Sequence, residues 1–194
     1  MSYLSQRRTR RRRLEWEARI RAWGTSAGRA LALDLHHHRQ VAVRPYTVGL
    51  VLWEGERVWV EVPATCSADT PVWDDDGRPV LQTGPWLVTD QRLAGRLHPD
   101  ILRWWTWDQV IGVQVDLTHG RERVGLDIDG SKPIYLAGPG VGPLAVAAVY
   151  RLHGPLAVIE HPGLAPLRTG AAATAGRRDT AAELEQSKLH VPMW

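Results

Sequence analysis

The sequence predicts a mainly β fold: a small antiparallel β-barrel closed by a C-terminal helix, with a basic helix ahead of it. Three observations predict it. Short segments that alternate apolar and polar residues recur between residues 58 and 136, separated by turn residues. A continuous apolar run, Val141 to Tyr150, follows them directly. Residues 5–23 contain neither Pro nor Gly and are dense in arginine. No long helical pattern interrupts the strands, which favours a meander over βαβ units.

In chain order, Trp16, Ile20 and Trp23 fall within a narrow arc at 3.6 residues per turn, giving the first helix an aromatic stripe among arginines. Gly24 to Pro45 reads as a linker with a short helical turn at 29–35, so residues 1–45 form a basic helical arm and linker. The barrel occupies 46–160. Val48 to Trp53 is expected as a first strand, and Glu54-Gly55-Glu56 as a turn. Val58, Val60 and Val62 then alternate with Arg57, Trp59 and Glu61. Asp69 to Gly84 reads as a long loop with Asp74-Asp75-Asp76-Gly77 at its tip.

Strands follow at 86–89 and 92–97, and a Trp-rich strand carries Trp104, Trp105 and Trp107. Ile111, Val113, Val115 and Leu117 form one face of the next strand, which ends at the His119-Gly120 turn. Val124, Leu126 and Ile128 alternate up to the Asp129-Gly130 turn, and Ile134 and Leu136 complete the set. On the closing helix Val141, Leu144, Ala145, Ala148 and Leu152 share the stripe expected to plug the barrel, while Val146 and Tyr150 point away. Residues 161–194, rich in Ala, Gly, Thr and charge, read as a flexible tail with a short helix over 181–188.

Composition bounds the function. The chain has 194 residues and one cysteine, Cys66, so it forms no internal disulfide, which fits a reducing cytoplasm. The arginine run at 7–13 is not followed by an apolar signal-peptide core. The run at 141–150 is half of the roughly 20 residues that span a bilayer. A soluble cytoplasmic protein is therefore expected. Ten tryptophans and no phenylalanine assign to Trp the core work that Phe usually does. Residues 1–30 hold nine arginines against Glu15 and Glu17, so the positive charge belongs to a basic arm on a mildly acidic body.

The order of strands, a Thr89-Asp90-Gln91-Arg92-Leu93 step, a Trp107-x-x-Val110 segment and a closing helix resembles the bacterial PH-like and GRAM-like domains, many of which also show a Gly-Glu near the first strands, as Gly55-Glu56 does here. The resemblance covers residues 46–154. It implies a PH-like barrel used as an interaction or scaffolding module rather than an enzyme. PH-like folds that hold phosphoinositides do so with basic residues in the loop joining their first two strands. The turn matched here, Glu54-Gly55-Glu56-Arg57, has the opposite charge, so specific phosphoinositide binding is not expected.

No catalytic constellation, metal site or cofactor is expected. His36-His37-His38 offers adjacent imidazoles that cannot converge on one ion from a regular element. Asp74-Asp75-Asp76-Gly77 lacks the spaced ligands of a calcium loop. Gly138-Pro139-Gly140-Val141-Gly142 is not G-x-G-x-x-G, and its prolines remove donors that a phosphate loop would use.

The strongest functional pattern is Arg7, Arg8, Arg10, Arg11, Arg12 and Arg13, a set that attracts phosphates. Nucleic acid and anionic membrane both fit it. The functional expectation is thus a noncatalytic intracellular interaction module with a polyanion-binding arm; a nucleic-acid-associated protein using the same arm is the alternative. Trp16, Ile20, Trp23, Trp59, Val146 and Tyr150 are the expected interaction surface, for a protein partner or a second copy of the chain.

Overall fold

The computed structural model describes residues 3–41, 46, 47, 49–67, 72, 73, 79, 80, 82–98 and 101–169. Helix α1 spans Tyr3–His36. The strands are β1 Val58–Ser67, the two-residue β2 Val72–Trp73 and β3 Pro79–Val80, β4 Gln82–Thr89, β5 Arg92–His98, β6 Ile101–Thr106, β7 Val110–Asp116, β8 Arg123–Ile128 and β9 Ile134–Ala137. Helix α2, Gly142–Glu160, closes the order, followed by a 3-10 turn at Pro162–Leu164 and a helical turn to Thr169.

Seven strands form one antiparallel sheet in the order β6-β5-β4-β1-β9-β8-β7, and β2 pairs with β3 in a separate ribbon. Every neighbour in the large sheet is antiparallel, as a meander requires. β1 pairs with β4 along nearly its whole length and with β9 through Thr65–Ser67, so it joins the two halves. The end strands β6 and β7 meet through the 3-10 corner Trp107–Gln109. There the buried Trp107 donates its indole N–H to the Thr89 carbonyl at 2.9 Å. The expected mainly β fold with a helix after its last strand is what the chain adopts.

Four expectations need correction. Residues 49–53 form no strand; Leu50 instead seats in a small apolar cluster with Val58, Leu87 and Ala94. Gly24 to Pro45 does not begin as a linker, because α1 runs unbroken to His36. Residues 161–169 are packed rather than free, with Leu164 and Leu167 buried. α2 is not one-sided: every residue from Val141 to Val149 is buried. The sheet covers one side of it and α1 the other, so the helix is apolar all round, as a buried helix must be. Although α2 is long and apolar enough to cross a membrane, Gly154 and Pro155 break its geometry near the C-terminal end.

Glycines make the α1–α2 contact possible. A Cβ on Gly24 would stand 2.9 Å from both Gly140 Cα and the Pro139 carbonyl oxygen, and one on Gly28 would stand 3.2 Å from the Gly142 carbonyl carbon. The Gly138–Gly142 entry read from sequence is therefore the point where two backbones touch. Arg21, in the turns that follow the arginine-rich run, is tied by an ion pair to Glu122, the residue before β8.

Candidate interaction surface

α1 has two different halves. From Ile20 onward it is part of the core layer: Ala27, Leu31 and Leu35 are buried, and Ile20 packs towards Gly140, where a Cβ would meet its Cγ2 at 3.1 Å. Residues 9–16 are exposed on every side. Good helix formers, and the i,i+4 pairs Arg11–Glu15 and Arg13–Glu17, each 2.8 Å, favour helix there without tertiary cover.

Of the expected polyanion-binding residues, Arg7, Arg10, Arg11, Arg12 and Arg13 are exposed on these turns; the Arg8 side chain lies outside the described set. Trp16 is 51% exposed and Trp23 37%, whereas Ile20 turns inward and leaves the stripe. Trp16 also borders a groove of about 440 Å³ between α1 and the junction of β1 with β9, lined by Pro63 and Ala137.

The other three surface expectations change. Val146 is fully buried and faces Ala32 and Leu33 of α1 across an apolar groove of about 310 Å³. It is covered by another segment of the same chain, residues 32 and 33, which lie in the stretch read as linker. Trp59 is buried because β1 carries a bulge between Val58 and Val60, which turns the indole into the main core against Tyr150, 6.0 Å between ring centroids. Tyr150 is half-buried and lines a polar pocket with Arg39, Arg57 and Asp90.

Gly55-Glu56 and Thr89-Asp90-Gln91-Arg92 meet in space. Glu56 and Arg92 form a buried bidentate pair, with Arg92 Nε to Oε1 and Nη2 to Oε2 both 2.8 Å. Thr89 donates its hydroxyl to Glu56 Oε1 at 2.7 Å, Trp53 N–H donates to Oε2 at 2.7 Å, and Arg92 Nη2 also reaches the Val51 carbonyl at 2.8 Å. The Arg92 guanidinium lies 4.0 Å over the Trp53 ring. Asp90 accepts from the Arg57 N–H at 2.8 Å. Burial alone would push the Glu56 carboxyl up; the Arg92, Trp53 and Thr89 hydrogen bonds outweigh it and hold the group below its usual 4.5. This node clamps residues 51–57 to the β4–β5 turn, and its charges are spent on each other.

That geometry also moves the phosphoinositide argument. The Glu54–Arg57 turn precedes the first strand, so the loop joining the first two strands of the sheet is 68–81. By sequence it carries Asp69, Asp74, Asp75 and Asp76 against Arg78. Its tip, 74–78, lies outside the described residues.

Chemistry requiring a nucleophile finds little support at the one thiol. Cys66 is buried and its pKa is pushed up to about 12 by desolvation, so it is a core thiol at neutral pH. Among the described residues no three His, Cys, Asp or Glu side chains are grouped to hold a metal ion; His36 instead lies against the Pro155 carbonyl.

No family model matches the chain, and no curated protein matches it by sequence. Among solved structures it is similar to a Vps36 N-terminal PH domain, at 17% identity over 62% of this chain and 98% of that one, with a TM-score of 0.43.

Proposed function

We propose that this chain is a noncatalytic intracellular interaction module, in which the PH-like body holds out a basic helical arm to a polyanion or an acidic protein partner. One observation carries the reading: Arg7 and Arg10 to Arg13 stand exposed on helical turns that no other element covers among the described residues. Such a density of guanidinium groups attracts phosphates through counterion release and charge-assisted hydrogen bonds. The acidic loop at 68–81 speaks against specific phosphoinositide capture by the body.

The test is replacement of Arg10 to Arg13 with Gln in the full chain, followed by binding to heparin across a salt series. The variant should bind more weakly, with the difference largest at low salt. Equal binding of both proteins at low ionic strength overturns the proposal. A truncation serves the same purpose only if it stops near residue 14, because removing residues 1–30 would cut α1 through its buried stretch.

A further inference from the structure

The exposed side of α1 carries a regular pattern that a count of arginines does not reveal. Arg12, Trp16, Arg19 and Trp23 follow one another at spacings of four, three and four residues, which places all four on one edge of the helix. All four are exposed. The adjoining side, through Ile20, Gly24, Ala27 and Leu31 and about 80° further round the helix, is the side that packs on the body. Among the described residues Arg12 and Arg19 make no ion pair, whereas their neighbours Arg11, Arg13 and Arg21 each hold a glutamate.

We infer that this Arg12–Trp16–Arg19–Trp23 ladder seats α1 on an anionic lipid surface, the indoles entering the interface and the two guanidiniums meeting lipid phosphates. The inference rests on the reading of α1 as a polyanion-binding arm and names its target. Charge complementarity supplies the first half: two cations without an ion-pair partner among the described residues alternate with two exposed tryptophans of the same helix. The second half is the chemistry of indole, whose apolar body and N–H suit the headgroup boundary, while arginine extends its charge to the phosphates from the same helix edge. A duplex would use the cations through its phosphates and offer no apolar layer for the two indoles to enter. Seven residues separate like side chains, about 10 Å along the axis, so both tryptophans can reach one flat surface without bending the helix.

The full-length protein is mixed with phosphatidylcholine vesicles, with and without phosphatidylserine and with brominated acyl chains, and with heparin and duplex DNA in parallel. Binding should require phosphatidylserine, and bromine should quench part of the tryptophan emission. Trp16→Ser with Trp23→Ser should remove that quenching and weaken vesicle binding while leaving heparin binding unchanged; circular dichroism confirms that the variant is folded, and Trp16→Ser alone substitutes if it is not. Arg12→Gln with Arg19→Gln should weaken vesicle binding by roughly twenty-five-fold, about fivefold per cation. Vesicle binding without quenching, or indifferent to the tryptophans, overturns the ladder. Binding to heparin or DNA but not to vesicles overturns the membrane assignment and leaves the polyanion reading standing. Failure to bind any of them removes both.

Discussion

Gly24→Ala is the sharpest probe of whether α1 belongs to the body, because two effects of opposite sign act there. In an exposed helix the change would stabilise by about 1 kcal/mol through helix propensity. Here the new Cβ would stand 2.9 Å from two backbone atoms, Gly140 Cα and the Pro139 carbonyl oxygen, neither of which can swing aside as a side chain would. Overpacking of this kind costs about 1–3 kcal/mol, and contact with backbone on a proline-flanked entry belongs to the upper half of that range. The expected net effect is a loss of about 1–2 kcal/mol, or several degrees in Tm for a chain of this size. Gly28→Ala meets its neighbours at 3.2 Å and should be nearly neutral. Ala30→Gly, on the exposed side, should lose about 1 kcal/mol by propensity alone. Urea unfolding of the three variants, followed by circular dichroism, gives the order. A Gly24→Ala midpoint above that of the parent protein would refute the close contact and return residues 24–35 to a linker.

Breaking the Glu56–Arg92 pair with Glu56→Gln should cost about 3–5 kcal/mol at neutral pH, since it leaves a buried guanidinium without its counter-charge. Because the folded carboxyl titrates below its usual 4.5, its contribution is present above that value and lost as pH falls through the folded pKa; the gap between parent and variant in urea unfolding should therefore narrow below about pH 4.5. Cys66 should resist a thiol-specific reagent in the native protein at pH 8 and react once urea unfolds the chain, and rapid native labelling would show that the strand opens there. Val146→Ser should destabilise on the same scale as Leu144→Ala, about 2–5 kcal/mol, since both side chains are fully buried; thermal unfolding that finds Val146→Ser harmless would mean that α1 does not cover it.

The strands were legible because period-two alternation records a half-buried sheet directly, and Val124, Leu126, Ile128, Ile134 and Leu136 are all buried as read. Alternation breaks where a bulge inserts a residue. One bulge puts Val58 into the small cluster and Trp59 into the main core; another, between Val110 and Gly112, leaves Ile111 64% exposed although Val113 and Val115 remain inward. Nothing in local residue type marks these positions. The second half of α1 was hidden for a different reason. Gly24 and Gly28 weaken a helix by propensity, so they read as its end, while the compensation lies more than a hundred residues away at Gly140 and Gly142. The nine uncharged residues from Val141 to Val149 did announce that layer: a helix with no polar face needs cover on both sides.

The arm was legible as a basic helix but its anchoring was not. These arginines extend a helix whose later turns, read as linker, are fixed by the Arg21–Glu122 ion pair and the Gly24–Gly140 contact. The fixed point follows Arg19 by two residues, so the direction in which Arg12, Trp16, Arg19 and Trp23 face is set by the fold rather than at the moment of binding. Ordering a helix during association would consume part of the interaction energy; here that ordering accompanies folding of the body. The body's charged Glu56 and Arg92, by contrast, face each other and offer nothing outward. On the proposed reading, a surface that engages the Arg12–Trp23 edge meets the body in one orientation, because the later turns of α1 are fixed to it.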